Sequence, residues 1–237
     1  MKEDRTVLKG GMSAREVVKI GDRVHRTASS RAAFVHKVLG HLEDAGFAYA
    51  PRFLDIDEEG REILTFIVGE VPREIPLTFP QKVEAMKILR GLHDCLATSN
   101  LKGTYETICH HDFAPWNVIV NQGRVVGVID FDEAAPGNRI DDVAYFIWTF
   151  LDLGVSEDSD EVQIKHIGEL MDAYRLENRA AWVPAIVLQQ KKIQDFRQQI
   201  VSEGQDPDLV AFSKNALINI QKSIAWVHTH RERIINS

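Results

Sequence analysis

The sequence predicts an α+β protein with two lobes, a small β-rich N-terminal lobe followed by a larger, mostly helical one. Two observations carry this prediction. Short β-rich segments with tight turns occupy the first third of the chain, and amphipathic helical patterns occupy nearly everything after residue 141. We place the lobe boundary between residues 70 and 71 and expect a cleft between the lobes to hold the functional site.

Composition limits the class of protein. Of the 237 residues, 44% are hydrophobic and 27% are charged, as in an ordinary globular protein. The net charge of −7 argues against a nucleic-acid partner. The longest mostly apolar stretch, residues 143–155, contains Asp152 and is too short for a bilayer, which argues against a membrane partner. The first residues lack the apolar core of a signal peptide, and two cysteines form no disulfide framework, so we expect a cytoplasmic protein.

Two hairpins and one helix are predicted in the small lobe. Gly21-Asp22 is a tight-turn dipeptide between the first two strands. Apolar residues then recur at three- and four-residue steps from Phe34 to Leu42, which indicates a helix that Gly46 ends. The predicted strands are residues 16–20, 23–26, 52–57 and 62–68.

The rest of the chain is predicted to be mostly helical. Three prolines within residues 69–80 break regular structure, so this stretch is the expected connector between the lobes. A pair of short strands is expected at residues 117–120 and 125–129, around a turn. The predicted helices are residues 81–97, 142–153, 160–174, 180–202 and 208–232.

Residues 110–117 read His-His-Asp-Phe-Ala-Pro-Trp-Asn and are the most informative stretch. They place the Asp112 carboxylate and the Asn117 amide on one short loop, and Asp130 follows thirteen residues after Asn117. A hairpin brings its two ends together, so we expect Asn117 and Asp130 to be neighbours, with Asp112 one short loop away. Two carboxylates and one amide oxygen would then meet at one point.

Such a set of oxygen atoms suits a hard divalent cation. Mg²⁺ takes one or two carboxylates together with phosphate oxygens and water. Phosphoryl transfer needs that metal to offset the charge on the phosphates, and it needs a carboxylate that orients the acceptor and takes its proton. Asp130 comes at the end of an apolar strand, where a buried carboxylate needs a compensating partner.

This pattern resembles the His-x-Asp-x-x-x-x-Asn loop and the downstream metal-binding Asp of the protein kinases. It resembles still more closely the aminoglycoside phosphotransferases and choline kinases of that superfamily. Those relatives continue with a Gly-containing loop and an Asp on a helix, here Gly137 and Asp142. The resemblance implies a protein kinase-like fold that moves the γ-phosphate of ATP or GTP to a hydroxyl of a small molecule, such as an aminoglycoside-like compound or an amino alcohol, with Mg²⁺.

The resemblance also implies roles for individual residues. Asp112 would be the catalytic base, and His110 would brace its loop. Asn117 and Asp130 would hold Mg²⁺, and Asp132 would support a second ion or its water shell. Asp142 would anchor the loop from the following helix.

In the small lobe the resemblance implies a base that holds the nucleotide phosphates, and Arg26 is the best match. Adenine would be read around Phe66, Ile67 and Val68. The relatives often pair that base with a Glu on the next helix, and here the corresponding place is near His36, with no acid. Arg26 would then pair with another acid or bind phosphate alone.

Other interpretations of the same residues stay open. Asp112 and Asn117 can cap a turn, Asp132 can be a surface acid and Asp142 an ordinary acid at a helix N-terminus. A metal-dependent hydrolase would instead use His110, His111 and Asp130. The missing helix Glu and the reduced Gly10-Gly11 loop favour a catalytically silent protein of binding or immunity type.

The acceptor is expected to be cationic because acid is concentrated in one part of the helical lobe. Eight acidic and two basic side chains lie between residues 151 and 178. Such an excess of negative charge attracts cations. The ordinary alternative is a solvated loop or helix start at residues 157–161.

Overall fold

The computed structural model describes residues 5–8, 17–73 and 76–237. The predicted loop at Gly10-Gly11 and the first residue of the strand predicted at 16–20 lie outside these residues. The chain forms two compact units. One contains the described residues up to Asp112 together with Trp116–Gly137, and the other contains Phe113–Pro115 and Asn138–Ser237. The lobe boundary at residues 70 and 71 stays a prediction.

A five-stranded sheet forms the N-terminal part of the first unit. Its strand order is β1-β2-β3-β5-β4, and neighbouring strands are antiparallel. Gly21, with φ of 60°, makes the predicted turn between β2 and β3. The edge strand β1 has no counterpart in the sequence prediction. The strands are β1 (Arg5–Leu8), β2 (Val17–Ile20), β3 (Arg23–Thr27), β4 (Phe53–Ile56) and β5 (Arg61–Thr65).

One helix of this unit, α1 (Ala32–Asp44), follows β3 as predicted. Its buried residues Val35, Val38, Leu39 and Leu42 belong to the apolar face that the sequence indicated. The prediction of a strand up to residue 68 was too long, because β5 ends at Thr65. One further bond in the same register joins the backbone N–H of Phe66 to the carbonyl of Asp22, at 2.9 Å, and the segment after it is irregular.

The segment after β5 docks on a second small hairpin. That hairpin consists of β7 (Val118–Asn121) and β8 (Arg124–Val128), paired antiparallel. Glu70 and Val120 exchange two backbone hydrogen bonds of 2.9 and 2.8 Å. Gly69 allows this approach, because a Cβ on it would lie 2.6 Å from both Ile119 Cγ2 and the carbonyl oxygen of Val120.

Replacing Gly69 with alanine is expected to lower the free energy of unfolding by about 1–3 kcal/mol. The φ of Gly69 is 150°, and part of the obstacle is backbone that has no rotamer to change. Gly40→Ala is the matched control: Gly40 lies inside α1 with open space around it, so the same change should stabilise by about 0.5–1 kcal/mol. Urea unfolding measures both. Equal effects of the two changes would contradict the close approach at Gly69.

The remaining elements of the first unit frame the loop at residues 110–117. Helix α2 (Phe79–Leu96) begins with a capping box between Thr78 and Gln81. Strand β6 (Thr107–Cys109) leads into the loop and pairs with β9 (Ala135–Gly137). Neither of these two short strands was predicted. Together they hold the stretch before the loop against the stretch that follows Asp130.

The second unit is helical. Its helices are α3 (Arg139–Leu151), α4 (Asp160–Tyr174), α5 (Trp182–Glu203) and α6 (Pro207–Ile235). The core of this unit includes the fully buried side chains of Trp182 and Ile186. The β-rich N-terminal part and the helical C-terminal part confirm the predicted α+β class. Among the residues that the structure describes, no helix combines the length and apolar content required for a bilayer span.

Candidate active site

The loop at residues 110–117 is braced by His110, whose side chain is buried. Its Nε2 lies 3.2 Å from the carbonyl oxygen of Ile129, and its Nδ1 accepts a hydrogen bond from the backbone N–H of Asp112, at 3.3 Å. A carbonyl only accepts, so the proton of this ring is on Nε2. The ring also contacts Phe131 with centroids 4.6 Å apart. These contacts show that His110 positions the loop. Both of its ring nitrogens are used in them, which disfavours the hydrolase hypothesis, in which His110 binds a metal.

The side chains of Asp112 and Asn117 meet within this loop. The Nδ2 atom of Asn117 donates to Oδ2 of Asp112 at 2.7 Å and to the Asp112 carbonyl at 2.9 Å. These bonds fix the direction of the Asp112 carboxylate. Since Nδ2 makes both of them, Oδ1 of Asn117 is on the other side of the amide group, as a metal ligand requires.

The hairpin of β7 and β8 returns the chain to the same place. The backbone N–H of Ile129 donates to the carbonyl of Asn117 at 2.8 Å, so Asn117 and Asp130 are neighbours as the sequence predicted. Asp130 has φ and ψ of 66° and 66°, in the left-handed region. A non-glycine residue there is strained, and such strain is concentrated at functional sites. The backbone turns here so that Asp130 leaves the strand with its side chain 45% exposed.

Arg26 on β3 reaches this end of the hairpin. Its NH2 atom donates to Oδ1 of Asp132 at 2.6 Å, and its NH1 atom donates to Oδ1 of Asp130 at 3.3 Å. Its Nε donates to Oε1 of Glu62 at 2.6 Å. One guanidinium therefore joins three carboxylates, and Arg26 lies beside the predicted metal-binding acids.

Glu62 is the site residue that sequence reasoning missed. It lies directly opposite Arg26 in the pairing of β3 with β5, and its side chain is 1% exposed. Oε2 of Glu62 contacts Nε2 of His36 at 2.7 Å. The sequence correctly indicated that the helix supplies no acid near His36, and the acid comes from β5 instead. The available signal was the place of Glu62 at the start of the predicted strand 62–68, next to the apolar residues 63–64, because a buried charge requires a partner.

Burial and charge act in opposite directions on the ionisable groups here. Burial lowers the pKa of Arg26, but the negative charges of Asp132, Glu62 and Asp130 outweigh it and leave that pKa above its ordinary value. Burial raises the pKa of Asp132, and the nearby Asp130 adds to the rise although Arg26 opposes it. The surplus of negative charge is what a cation would relieve.

The other predicted residues lie in two places. Phe66, Ile67 and Val68 form an irregular segment after β5, with Val68 exposed and the ammonium group of Lys19 4.9 Å from the centroid of the Phe66 ring. Asp142 belongs to the second unit, where it lies in the first turn of α3 and is fully buried.

The ordinary capping role that the sequence left open for Asp142 belongs to its neighbour. Asp141 forms the capping box of α3, and its Oδ2 accepts from the backbone N–H of Asn138 at 3.3 Å.

The acidic run at residues 157–161 is partly used within the second unit. Asp160 accepts from Nε1 of Trp226 at 2.6 Å and lies 3.1 Å from Nε2 of His230. The bond from Trp226 is the main cause of a lowered pKa of Asp160. Glu161 pairs with Arg233 at 3.3 Å. Two acids of this run therefore link α4 to α6.

The residues around Asp130 fit a divalent cation. Asp130 is half-exposed, and its contact to Arg26 is long, at 3.3 Å. The backbone of Asn117 is bonded to Ile129, the residue before Asp130, and Asp132 is two residues further along the chain. Carboxylate and amide oxygens are the donors that Mg²⁺ prefers, and phosphate oxygens and water normally complete its shell.

Solved structures superpose on this chain and show its fold. Aminoglycoside 2'-phosphotransferase-IIIa, in its GDP complex, superposes with a TM-score of 0.67 at 12% identity over 93% of each chain. Amicoumacin kinase has a TM-score of 0.65 at 15% identity over 91% of this chain and 87% of its own. A choline/ethanolamine kinase family protein from Mesorhizobium loti has 0.64 at 14% over 98% and 91%. The fold is the protein kinase-like fold.

Two sequence comparisons also found matches. Residues 99–182 match the model of the phosphotransferase enzyme family (APH). The resemblance to aminoglycoside phosphotransferases and choline kinases is therefore confirmed. The trifolitoxin immunity protein of Rhizobium leguminosarum bv. trifolii is 32% identical over 161 residues. That match covers 61% of this chain and 61% of the length of the immunity protein.

Proposed function

We propose that this protein is a Mg²⁺-dependent phosphotransferase that moves the γ-phosphate of ATP or GTP to a hydroxyl group of a small molecule. The observation that carries the proposal is the set Asp112, Asn117, Asp130 and Arg26. It offers an oriented carboxylate, two metal-ligand oxygens and one phosphate-binding cation within one compact unit. Phosphoryl transfer requires these parts and little covalent chemistry from the protein.

Asp112 is the group that would accept the proton of the acceptor hydroxyl. Asn117 holds its Oδ2 atom and its backbone carbonyl, and His110 holds its backbone N–H, so the carboxylate has one direction in the loop. An oriented carboxylate makes the attacking oxygen approach the phosphorus in line. The contribution of Asp112 is therefore to orient the hydroxyl and to accept its proton late in the transfer.

Asn117, Asp130 and Asp132 would hold Mg²⁺, which supplies neutralisation of charge on the phosphate oxygens when bound. Arg26 would add a second positive charge at the phosphates. The backbone at Phe66, Ile67 and Val68 would contact adenine. Asp142, buried in the first turn of α3, would anchor the loop at residues 110–117.

A cationic acceptor remains our proposal, on the grounds of local charge. Asp112 and Asp130 are both anionic groups at the site, and an amine on the acceptor would be attracted to them. The acidic run at residues 157–161 supports this less than the sequence indicated, because Asp160 and Glu161 are paired with α6. Trp116, in the same loop four residues after Asp112, is 52% exposed and offers an aromatic surface on which a cation can bind.

A second candidate function is an immunity-type protein that keeps the fold without catalysis. The match to the trifolitoxin immunity protein favours it, since that relative is named for protection against a toxin. The intact set of Asp112, Asn117 and Asp130 supports the phosphotransferase instead. The two proposals differ in one measurable property, which is Mg²⁺-dependent nucleotide binding followed by turnover.

A thermal melt with ATP or GTP, with and without Mg²⁺, tests the proposed function. Nucleotide at a hundred times its dissociation constant should stabilise the protein by about 2.7 kcal/mol. For a chain of this size, that raises the melting temperature by about 5–10 °C. The rise should require Mg²⁺, because the phosphates and the carboxylates repel one another without it.

Absence of any shift with both nucleotides would overturn the proposal and favour the silent protein. A shift justifies a screen of acceptor alcohols, beginning with those that carry amines. Consumption of ATP or GTP coupled to one acceptor then establishes the reaction, and the same screen with glycerol as a neutral alcohol measures the preference for positive charge.

A further inference from the structure

Arg26 contacts Asp130 and Asp132, the two carboxylates that would bind the metal ion in the proposed function. Its two terminal nitrogens contact Asp130 at 3.3 Å and Asp132 at 2.6 Å, while Nε contacts Glu62 at 2.6 Å. A cation that binds Asp130 and Asp132 therefore competes with the terminal nitrogens of Arg26. It does not compete with Nε, which faces a different carboxylate.

The guanidinium group allows these two ends to act separately. Its nitrogens lie in one plane in a fixed fork, so a bond at Nε restricts the position of the fork without using its terminal donors. Glu62 is 1% exposed, while Asp130 is 45% exposed. Removing the Arg26 charge from the buried Glu62 costs far more than removing it from half-exposed Asp130, because water can solvate Asp130.

His36 holds the other oxygen of Glu62. Its Nε2 lies 2.7 Å from Oε2 of Glu62, and its ring stacks on Phe53 with centroids 3.6 Å apart and planes at 14°. The ring of His36 is held between α1, which carries it, and Phe53 of β4. Each oxygen of Glu62 therefore has one partner, Arg26 from β3 on one and His36 from α1 on the other. The buried carboxylate is thereby tied in place.

We propose that Glu62, held by His36, is a positioning residue that anchors Nε of Arg26. With this anchor in place, the terminal nitrogens of Arg26 would leave Asp130 and Asp132 and contact the nucleotide phosphates when a metal ion binds the two aspartates. Arg26 thus neutralises the two aspartates before the metal arrives. Arg26 becomes the phosphate-binding cation once the metal ion, and no longer the guanidinium, neutralises Asp130 and Asp132. The strand glutamate does the work that the resemblance assigned to a glutamate on the helix. The contact between Arg26 and phosphate rests on the proposed function, whereas the competition between Arg26 and a metal ion does not.

The first test uses Arg26→Ala and measures two affinities by calorimetry, with Mn²⁺ alone as the metal probe and then ATP in the presence of Mg²⁺. Affinity for Mn²⁺ alone should increase by about tenfold, because the two carboxylates lose a competing positive charge. Affinity for the nucleotide should fall by about tenfold or more. Opposite changes in two affinities are not expected from a general loss of structure.

Arg23→Ala is the matched control. Arg23 lies on the same strand and carries the same charge, but its side chain is 58% exposed and lies 3.9 Å from the exposed Asp22. Both affinities should be unchanged in this variant. If Arg26→Ala binds Mn²⁺ no more tightly than the native protein does, the exchange is wrong.

The second test concerns the anchor. Glu62→Gln should weaken nucleotide binding by about tenfold without raising the affinity for Mn²⁺ alone, because Arg26 keeps its contacts to Asp130 and Asp132 but loses the bond that directs it to phosphate. His36→Leu should act in the same direction, and His36→Gln should restore binding because its amide nitrogen can still donate to Glu62. Glu58→Gln, an exposed acid of the neighbouring turn, is the control.

The outcomes separate this inference from the proposed function. If the native protein binds no nucleotide, the proposed function fails, and the Mn²⁺ measurement on Arg26→Ala still decides whether Arg26 competes with the metal. If the native protein binds Mg-nucleotide but Glu62→Gln and His36→Leu bind it equally well, the anchoring role is wrong while the proposed function stands. The His36 pair decides the anchor if Glu62→Gln does not fold.

Discussion

The Asp112→Ala variant is expected to lose turnover by about 10³-fold or more while it binds Mg-nucleotide with nearly native affinity. General base catalysis and the orientation of the acceptor hydroxyl are together of this size. Asp112→Ala removes the bond from Asn117 to Oδ2, but the Asn117 amide keeps its bond to the carbonyl of residue 112, and the carboxylates of Asp130 and Asp132 stay in place. The measurements are steady-state turnover with the acceptor and the Mg-dependent rise in melting temperature.

The control for this change is Asp55→Ala, which removes an exposed carboxylate on β4. It should leave turnover and nucleotide binding unchanged. Asp112→Asn adds a sharper comparison, because its amide can still contact Asn117 but takes no proton. Retention of most of the turnover by Asp112→Ala would mean that another group orients the acceptor, and the assignment of Asp112 as the base would be wrong.

The Asp130→Asn variant is expected to lose the Mg-dependent part of nucleotide binding. Mg-nucleotide at a hundred times its dissociation constant should raise the free energy of unfolding of the native protein by about 2.7 kcal/mol. In this variant, adding Mg²⁺ to the nucleotide should give almost no further stabilisation. An amide is neutral and is a weaker ligand for a hard cation than a carboxylate. Melting curves over a series of Mg²⁺ concentrations, at fixed nucleotide, measure the effect.

Asparagine is the suitable replacement because Asp130 has a left-handed backbone, with φ of 66°. Asparagine tolerates this conformation, whereas alanine would add backbone strain to the loss of charge. The melting temperature without ligand should therefore stay near the native value, and Asp55→Asn serves as the control for charge. A full Mg-dependent shift in Asp130→Asn would place the metal elsewhere.

Local patterns were sufficient for most helices and strands and for the proximity of Asn117 and Asp130, although β1, β6 and β9 were not predicted. The contact between Asn117 and the residues before Asp130 follows from hairpin geometry, which depends only on two short strands and a turn. The α+β class was predictable for the same reason, because hydrophobic period is a property of neighbouring residues. The resemblance to the phosphotransferases lies in the motif from His110 to Asp130. Strand ends were less predictable, since β5 ends at Thr65 and the chain continues as an irregular segment.

The partners of Arg26 are decided by tertiary structure. Arg26 meets Glu62 because β3 pairs with β5 and not with β4, and it meets Asp132 across more than a hundred residues of sequence. A helix acid was the natural expectation, and the strand glutamate replaced it because the pairing register sets the two residues opposite each other. No local pattern contains that register.

The amino-acid sequence alone thus specified the chemistry of the loop: an oriented carboxylate, an amide and a second carboxylate at hairpin spacing. Tertiary structure decided that Arg26 faces those carboxylates and that the buried Glu62 holds Arg26. It also decided which acids of residues 157–161 pair with side chains of α6. The physical reason is that contacts within a hairpin depend on adjacent residues, whereas a buried ion pair depends on where distant strands and helices pack.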